Sequence, residues 1–174
     1  MATRHENFRD TPEFEQGHRG ERMVATLLRD RGYHVIPTYD YTTAQERAPL
    51  LQSHQGALVL PDLDVSTPAA RFWVEVKVHN DAALNKRHDC KVHGVKLRHA
   101  HNYAQVSQIT QARVRLAIVE LKTVSLLTAW LDELEPIDCL CNDCCQTLSP
   151  ECLRYYRRDQ FLARPLDQRY RRML

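Results

Sequence analysis

The sequence predicts an α/β fold in which helices flank a mixed sheet. Three observations predict it: the order of elements along the chain, the alternation of apolar and polar residues over residues 71–78, and a composition typical of one globular domain. The 174 residues are 43% apolar and 26% charged, with a formal net charge of +2. A chain of this length buries about 70% of the surface that its unfolded form exposes, so it can form a hydrophobic core.

The first helix is predicted over residues 12–31. A threonine and a proline at its start are typical of a helix N-terminus, and Gly32 suits a left-handed C-terminal cap. Val24 and Leu28 lie on an apolar stripe that faces the core, and Glu21 lies on the same stripe.

Residues 33–36 and 57–60 predict the first two strands, and residues 71–78 predict the third and clearest one. In the third strand one face carries Phe72, Val74, Val76 and Val78, and the other carries Trp73, Glu75 and Lys77. A His-rich loop over 79–98, a helix over 99–111 and a strand over 116–119 follow. The order is therefore helix, three strands, helix and strand. Residues 126–134 are ambiguous between a strand and a short helix.

Three regions are expected along the chain: a flexible N-terminus (1–11), the core (12–135) and a small appendage (136–174) that combines a Cys-rich segment with an Arg-rich tail. The longest apolar run has about six residues, far short of the ~20 that span a bilayer, so no membrane helix is expected. The N-terminus lacks the apolar segment of a signal peptide, which favours a cytoplasmic protein in a reducing compartment.

Three acids and a lysine form a candidate catalytic set: Glu21, Asp62, Glu75 and Lys77. Glu75 and Lys77 project to the same face of one strand, and Asp62 is expected to end the preceding strand beside Glu75. Mg²⁺ prefers carboxylate oxygens arranged in this way. Lys77 can then help to activate the nucleophile or stabilise the charge that develops on phosphorus.

An E-x-K triplet on a strand is usually a solvated ion pair, so the triplet alone is weak support. A second copy, Glu120-Leu121-Lys122, illustrates this, and no chemistry is assigned to it. The first copy differs because Pro61-Asp62 precedes it by one hairpin and Glu21 lies on a core-facing stripe. Buried acids that cluster in one place are more often functional than structural.

The order Glu21, Pro61-Asp62 and Glu75-Val76-Lys77 resembles the PD-(D/E)xK, or restriction-endonuclease-like, nuclease superfamily. The resemblance covers about residues 12–122 and implies a phosphodiesterase that depends on Mg²⁺ or Mn²⁺. It is closest in style to junction-resolvase-like and exonuclease branches.

The resemblance implies that Asp62, Glu75 and the backbone carbonyl of Val76 are metal ligands and that Lys77 is catalytic. Glu21 would match a helical glutamate that some branches use for a second metal or an ordered water. Asp64 remains an alternative to Asp62, because a bulge at Pro61 would shift the strand register.

Two residues of the second helix, Tyr103 and Gln105, are candidates for contact with the scissile phosphate, because several branches of the superfamily place a Tyr or Gln from this helix beside the metal. The Q-x-x-x-Y signature of one branch is absent. Tyr103 at helical spacing from Val106 is equally typical of a core residue.

The cysteines predict a structural zinc site. Cys141 and Cys144 have the C-x-x-C spacing of a zinc knuckle, and Cys139 and Cys152 can complete a tetrahedral set. The alternatives are an iron–sulfur cluster and free thiols or a disulfide.

The functional hypothesis is a DNA nuclease, structure-selective or nonspecific because no base-reading motif is evident. RNA remains a possible substrate, and a homodimer is expected because cutting two strands needs two sites. Arg157 and Arg158 in the tail are expected to contact the nucleic-acid backbone. The alternative is a catalytically inactive module of the same fold that binds nucleic acid or a partner through the zinc knuckle and the basic tail.

Overall fold

The computed structural model of the protein describes residues 11–39, 49–54, 56–139 and 152–174. The helices are α1 (Pro12–Asp30), α2 (Leu97–Thr110) and α3 (Gln168–Arg171). The strands are β1 (His34–Pro37), β2 (Leu50–Ser53), β3 (Gly56–Val59), β4 (Leu63–Ser66), β5 (Arg71–His79), β6 (Ala83–Asn85), β7 (Cys90–Lys96), β8 (Arg113–Glu120), β9 (Ser125–Trp130), β10 (Pro136–Cys139), β11 (Leu153–Arg157) and β12 (Leu162–Pro165). No helix among these residues is long and apolar enough to cross a membrane.

A six-stranded sheet in the order β1-β4-β5-β8-β9-β12 forms the centre of the molecule. Strands β5 and β8 are parallel, and the other neighbours in this sheet are antiparallel. The mixed α/β fold predicted from the sequence is therefore confirmed. The predicted order of helix, three strands, helix and strand corresponds to α1, β1, β4, β5, α2 and β8.

Helices α1 and α2 cover opposite faces of this sheet. Met23 and Leu27 of α1 pack with the face of β5 that carries Val74 and Val76. Val106 and Tyr103 of α2 pack with Trp73 on the other face. The alternation predicted for β5 thus separates a face toward α1 from a face toward α2, and Glu75 lies on the latter.

The ends of α1 follow from local residues. The Thr11 hydroxyl accepts a hydrogen bond from the Phe14 amide at 3.3 Å, and Pro12 occupies the first turn. Gly32 has φ +85°, a left-handed conformation that terminates the helix at low cost. The helix ends at Asp30, one residue before the predicted end.

The predicted second strand, residues 57–60, does not join the central sheet. Its counterpart β3 pairs with β2 in a separate two-stranded sheet, and Leu58 packs toward α2. The chain then turns at Pro61, and β4 is the strand that pairs with β5. The run of four apolar residues at 57–60 predicts a core strand. In the structure it is β4 that alternates between buried and half-buried residues, with Leu63 and Val65 buried.

The predicted polar loop over residues 79–98 is wrong, because this region contains β6 and β7. They belong to a four-stranded sheet in the order β10-β11-β7-β6. Strand β7 pairs with its neighbour β6 and with β11, and local periodicity could not reveal β11 because it comes from a distant part of the chain. The ambiguous stretch that follows β8 is β9 and a 3-10 turn over Leu131–Glu133.

The described part of the predicted C-terminal appendage, residues 136–174, contributes strands to both larger sheets. Strand β12 forms the edge of the central sheet, and Leu166 is buried in the core beneath α1. The Tyr170 hydroxyl donates a 2.7 Å hydrogen bond to Asp30 at the end of α1. The Cys-rich segment and the predicted flexible N-terminus (1–11) lie almost wholly outside the described residues.

A close approach of α1 to β5 gives the first testable prediction. A Cβ on Gly20 would lie 2.3 Å from Cγ2 of Val78, whereas a Cβ on Gly17 would meet nothing within 4 Å. We expect Gly20→Ala to destabilise the protein by about 1–3 kcal/mol through overpacking. Gly17→Ala is the matched control and should stabilise it by about 0.5–1 kcal/mol, because alanine favours the helix. Urea unfolding measures both, and equal effects would contradict this packing.

Candidate active site

The pairing of β4 with β5 places Asp62 next to Glu75. The register pairs Leu63 with Val74, so one further step along it sets Asp62 opposite Glu75. The ladder itself stops at Leu63, and Oδ2 of Asp62 accepts a 2.7 Å hydrogen bond from the amide of Val76 instead. Asp62 therefore precedes a strand, whereas the sequence predicted that it ends one.

The end of β1 holds the segment that carries Asp62. The amide of Thr38 donates to the Asp62 carbonyl at 2.9 Å, and the Thr38 hydroxyl donates to the Pro61 carbonyl at 2.6 Å. These bonds satisfy backbone acceptors at a point where proline interrupts regular pairing. Thr38, just after β1, consequently holds the backbone at Asp62, and the Val76 amide of β5 holds its side chain.

Glu75 is almost completely buried, with 2% of its surface exposed. Its Oε1 forms an ion pair with Nζ of Lys77, which also donates to the Val76 carbonyl at 3.2 Å. Its Oε2 is buried and has no hydrogen-bond partner among the described residues. A buried carboxylate oxygen without a partner is costly, so this atom marks a place where a cation or a donor would be stabilising.

The buried charges alter the pKa values of the site. Burial, followed by the negative charge of Glu75, raises the pKa of Asp62 well above its usual value. Burial alone lowers the pKa of Lys77, but Glu75 and Asp62 outweigh it and raise that pKa. Lys77 is therefore an ammonium ion in the metal-free protein.

Three aromatic side chains that surround the carboxylates contribute to their environment. Burial, then Glu75, raises the pKa of Tyr103, which is 2% exposed. Burial, then Asp62, raises the pKa of Tyr39. Burial, then Lys77, lowers the pKa of His99 to about 4. Sequence reasoning missed Tyr39 and His99, because neither has a motif and only the fold brings them to the site.

The other predicted site residues occupy different positions. Glu21 lies on α1 and adds to the negative potential at Asp62, although burial and Glu75 have larger effects there. Asp64 binds Arg71 through two hydrogen bonds of 2.9 and 2.7 Å, so its carboxylate is engaged elsewhere. Gln105 makes no hydrogen bond among the described residues and lies about 200° around the helix from Tyr103.

Asp62, Glu75 and the Val76 carbonyl present a set of hard oxygen ligands. Within the described ranges, no group of three or more His, Cys, Asp and Glu side chains could hold a metal ion. Mg²⁺ is nevertheless commonly bound by one or two carboxylates, with waters and substrate phosphates as the other ligands. The buried oxygen of Glu75 fits such a site.

The second E-x-K triplet has a different environment. Glu120 is fully buried and accepts hydrogen bonds from Arg158 at 2.9 and 2.7 Å, and Thr123 also donates to it. The Glu120 carboxylate lies 3.3 Å from Nε2 of His93, whose Nδ1 is 2.9 Å from Nδ1 of His79. Arg158, predicted from the sequence to contact nucleic acid, is therefore the ion-pair partner of a buried acid.

Neither the other tail arginine nor the cysteines join this site. Arg157 pairs with Asp159 on the surface at 2.6 Å. Cys152 is buried and forms no disulfide with another described residue. The proposed zinc ligands Cys141 and Cys144 lie outside the described residues, as does the side chain of Cys139.

Comparison with known proteins adds a finding on the fold. The sequence is similar to no protein-family model and to no curated protein. A solved structure of a Holliday junction resolvase from the hyperthermophilic archaeon Archaeoglobus fulgidus superposes with a TM-score of 0.51, covering 90% of this chain and 93% of the other. The chain shares the fold of a Holliday junction resolvase. This supports the restriction-endonuclease-like fold, and at 13% identity the likeness concerns the resolvase fold alone.

The pair of Glu120 with Arg158 gives a prediction on stability. Hydrogen bonds from Arg158 lower the pKa of Glu120 to about 2 from its usual 4.5, so the pair stabilises the fold above pH 4.5 and this contribution is lost as pH falls toward 2. We expect Arg158→Gln to cost about 3 kcal/mol at neutral pH because it leaves a buried charge unpaired. Urea unfolding across the acid range should show the difference shrinking below pH 4.5.

The neighbouring arginine is the matched control. Arg157→Gln breaks only an exposed pair with Asp159, and we expect a change within about 0.5 kcal/mol at any pH. A cost for Arg158→Gln that is no larger, or that does not change with pH, would refute the structural role of Glu120.

Proposed function

We propose that this protein is a divalent-metal-dependent nuclease that hydrolyses phosphodiester bonds of DNA. One observation carries the proposal: two buried carboxylates, Asp62 and Glu75, lie beside a single lysine, and one oxygen of Glu75 has no partner among the described residues. The resolvase fold supports it, because the solved structure of that fold belongs to an enzyme that acts on branched DNA. A buried acid with a purely structural role has hydrogen-bond partners for both carboxylate oxygens, as Glu120 has in Arg158.

Asp62, Glu75 and the Val76 carbonyl would hold Mg²⁺ or Mn²⁺. Such an ion supplies Lewis-acid chemistry to a phosphodiester when it is bound. Asp62 is oriented for this role by the Val76 amide, which leaves its second oxygen available. Burial by Tyr103 and Trp73 excludes water and strengthens electrostatic interactions at these carboxylates.

Lys77 would stabilise negative charge on the scissile phosphate. Its raised pKa keeps it an ammonium ion, so charge stabilisation is favoured over a role as a general base in the metal-free protein. In the metal-free protein Nζ contacts both Glu75 and the Val76 carbonyl, two of the proposed metal ligands. A divalent cation on those oxygens would replace these contacts and direct Lys77 toward the substrate.

A four-way DNA junction is the first substrate to test, since the solved structure of the same fold is a junction resolvase. A homodimer is part of the proposal, because two symmetric cuts need two sites. No described feature favours the inactive binding module, whose tail arginine Arg158 is bound to Glu120.

Cleavage by matched lysine variants tests the proposal. With Mg²⁺ or Mn²⁺ we expect Lys77→Ala to lower the cleavage rate about 10²–10³-fold, since an electrostatic partner of the phosphate is lost. Lys122→Ala is the control from the second E-x-K triplet. Lys122 is 68% exposed and pairs with Asp81, so we expect this variant to cleave like wild type.

Junction, duplex and single-stranded DNA, together with an RNA duplex, form the substrate panel. Cleavage of RNA alone would contradict the DNA assignment. Equal rates for wild type and Lys77→Ala on every substrate, or full activity in a chelator, would refute the nuclease proposal. Salt-dependent binding of the panel with no turnover would favour the inactive module instead.

The carboxylates give a second prediction, on metal and stability. Because its folded-state pKa is raised, Asp62 increasingly costs stability as pH rises above its usual pKa of 3.8, so this carboxyl group destabilises the fold at neutral pH. We expect Asp62→Asn to stabilise the metal-free protein. Each kcal/mol gained in the free energy of unfolding raises the unfolding midpoint by about 2–4 °C. The rise that Mg²⁺ produces in wild type should vanish in this variant.

Asp64→Asn is the control, because Asp64 is engaged with Arg71. It should keep the Mg²⁺-induced rise in midpoint. Loss of that rise in Asp64→Asn and its retention in Asp62→Asn would transfer the ligand role to Asp64.

A further inference from the structure

A pocket of about 300 Å³ lies between α1 and the part of the central sheet formed by β8, β9 and β12. Val74 and Ala117 line it, and both belong to the core on the α1 side. Glu75 projects to the opposite face of β5, so the pocket is separated from the candidate active site by the sheet.

Three arginines from three separate elements line this pocket. Arg31 follows the end of α1, Arg115 lies on β8, and Arg164 lies on β12. None of the three forms a salt bridge with a described residue. The acids nearby are engaged elsewhere: Asp30 binds Arg169, and Asp132 binds Arg113. The pocket therefore concentrates positive charge without a counterion from the described chain.

Arg115 provides the most specific feature of the pocket. Its Nε is buried and has no hydrogen-bond partner among the described residues. Its guanidinium lies 4.3 Å from the centre of the Trp130 ring, which fixes its orientation. Burial is the largest effect on its pKa and lowers it, and the charge of Glu133 offsets this only in part. An anion in the pocket would give the guanidinium of Arg115 the counter-charge that it lacks among the described residues.

Arg113, two residues before Arg115 on β8, is an arginine whose donors are paired with acids. It also lies over Trp130, at 4.4 Å, but it donates to both Asp132 and Glu133 on the surface. The two arginines differ in their anionic partners, and only the one without such partners lines the pocket.

The remaining lining of the pocket is apolar with polar groups at intervals. Leu27 and Leu126 are buried in its wall, and Leu162 is 57% exposed at its rim. Thr128 and Tyr33 add hydroxyl groups. Pockets that bind small molecules combine such apolar walls with a few oriented polar groups, and about 300 Å³ is at the lower end of their volumes.

We propose that this pocket binds a small organic anion whose phosphate or carboxylate contacts Arg115, flanked by Arg31 and Arg164, and whose apolar part lies against Leu27 and Leu126. The pocket volume limits the ligand to about the size of a nucleoside monophosphate. The proposal does not depend on the nuclease activity, because the site lies on the other face of the sheet.

Isothermal titration of the full-length protein tests this with three probes: inorganic phosphate, deoxyadenosine monophosphate and hexanoate. The two phosphates and the carboxylate distinguish the possible head groups, and inorganic phosphate reports the head group alone. We expect at least one probe to bind wild type and to bind Arg115→Gln about tenfold more weakly or worse, because a charge-assisted donor is lost. Arg113→Gln is the matched control and should bind within about twofold of wild type, since Arg113 is already paired.

Thermal unfolding gives an independent measurement. The bound probe should raise the unfolding midpoint of wild type and Arg113→Gln, and not that of Arg115→Gln. Arg164→Gln, which changes an exposed residue, should also weaken binding and keeps the test valid if Arg115→Gln unfolds. Binding of no probe, or equal binding by wild type and both pocket variants, would refute the proposal. Cleavage of DNA by Arg164→Gln should equal that of wild type, which separates this site from the nuclease site.

Discussion

Two carboxyl groups buried side by side are the constraint on which the centre of this molecule depends. Asp62 and Glu75 repel each other in a low-dielectric interior, and only Lys77 contributes a full positive charge that contacts either of them among the described residues. Two hydrogen bonds also hold Asp62 in place: the Val76 amide donates to its carboxylate, and the Thr38 amide donates to its backbone carbonyl. Strand pairing, the interruption at proline and the packing of α2 all serve to keep this repulsive arrangement in place.

A second buried glutamate of the same chain, Glu120, has a different set of partners from Glu75. Glu120 receives two hydrogen bonds from Arg158 and one from Thr123, and hydrogen bonding holds its pKa low. Glu75 receives one ion pair, and its Oε2 has no hydrogen-bond partner among the described residues. A satisfied buried acid contributes stability, whereas a partly satisfied one costs stability and is retained where it has another use. The two E-x-K triplets therefore differ in the environment of their glutamates because of their partners rather than their spacing.

Helix caps and the alternation of apolar residues predicted α1 and β5 correctly. The strands that the sequence did not predict correctly, β4 and β7, are defined by their pairing with other strands. Helix α1 and strand β5 carry their own caps and alternation, so the pairing of Glu75 with Lys77 and the mixed sheet could be predicted. Strand β4 was misplaced because Pro61 separates it from a more apolar segment, which forms an independent hairpin. Strand β7 pairs with β6 and also with β11, about sixty residues away, and no local signal could identify the second partner.

The number of arginines in residues 153–174 does not equal the number that a ligand can contact. Residues 153–174 contain seven arginines and two acids, a pattern typical of a nucleic-acid-binding tail. In the fold these arginines are divided among separate tasks: Arg158 binds Glu120, Arg157 binds Asp159, and Arg169 binds Asp30. Arg164 is carried by β12 to the anion pocket on the opposite face of the sheet from Glu75. Three of the seven arginines of this segment thus pair with acids of the same chain, so the charge count overstates the positive charge that a ligand can contact.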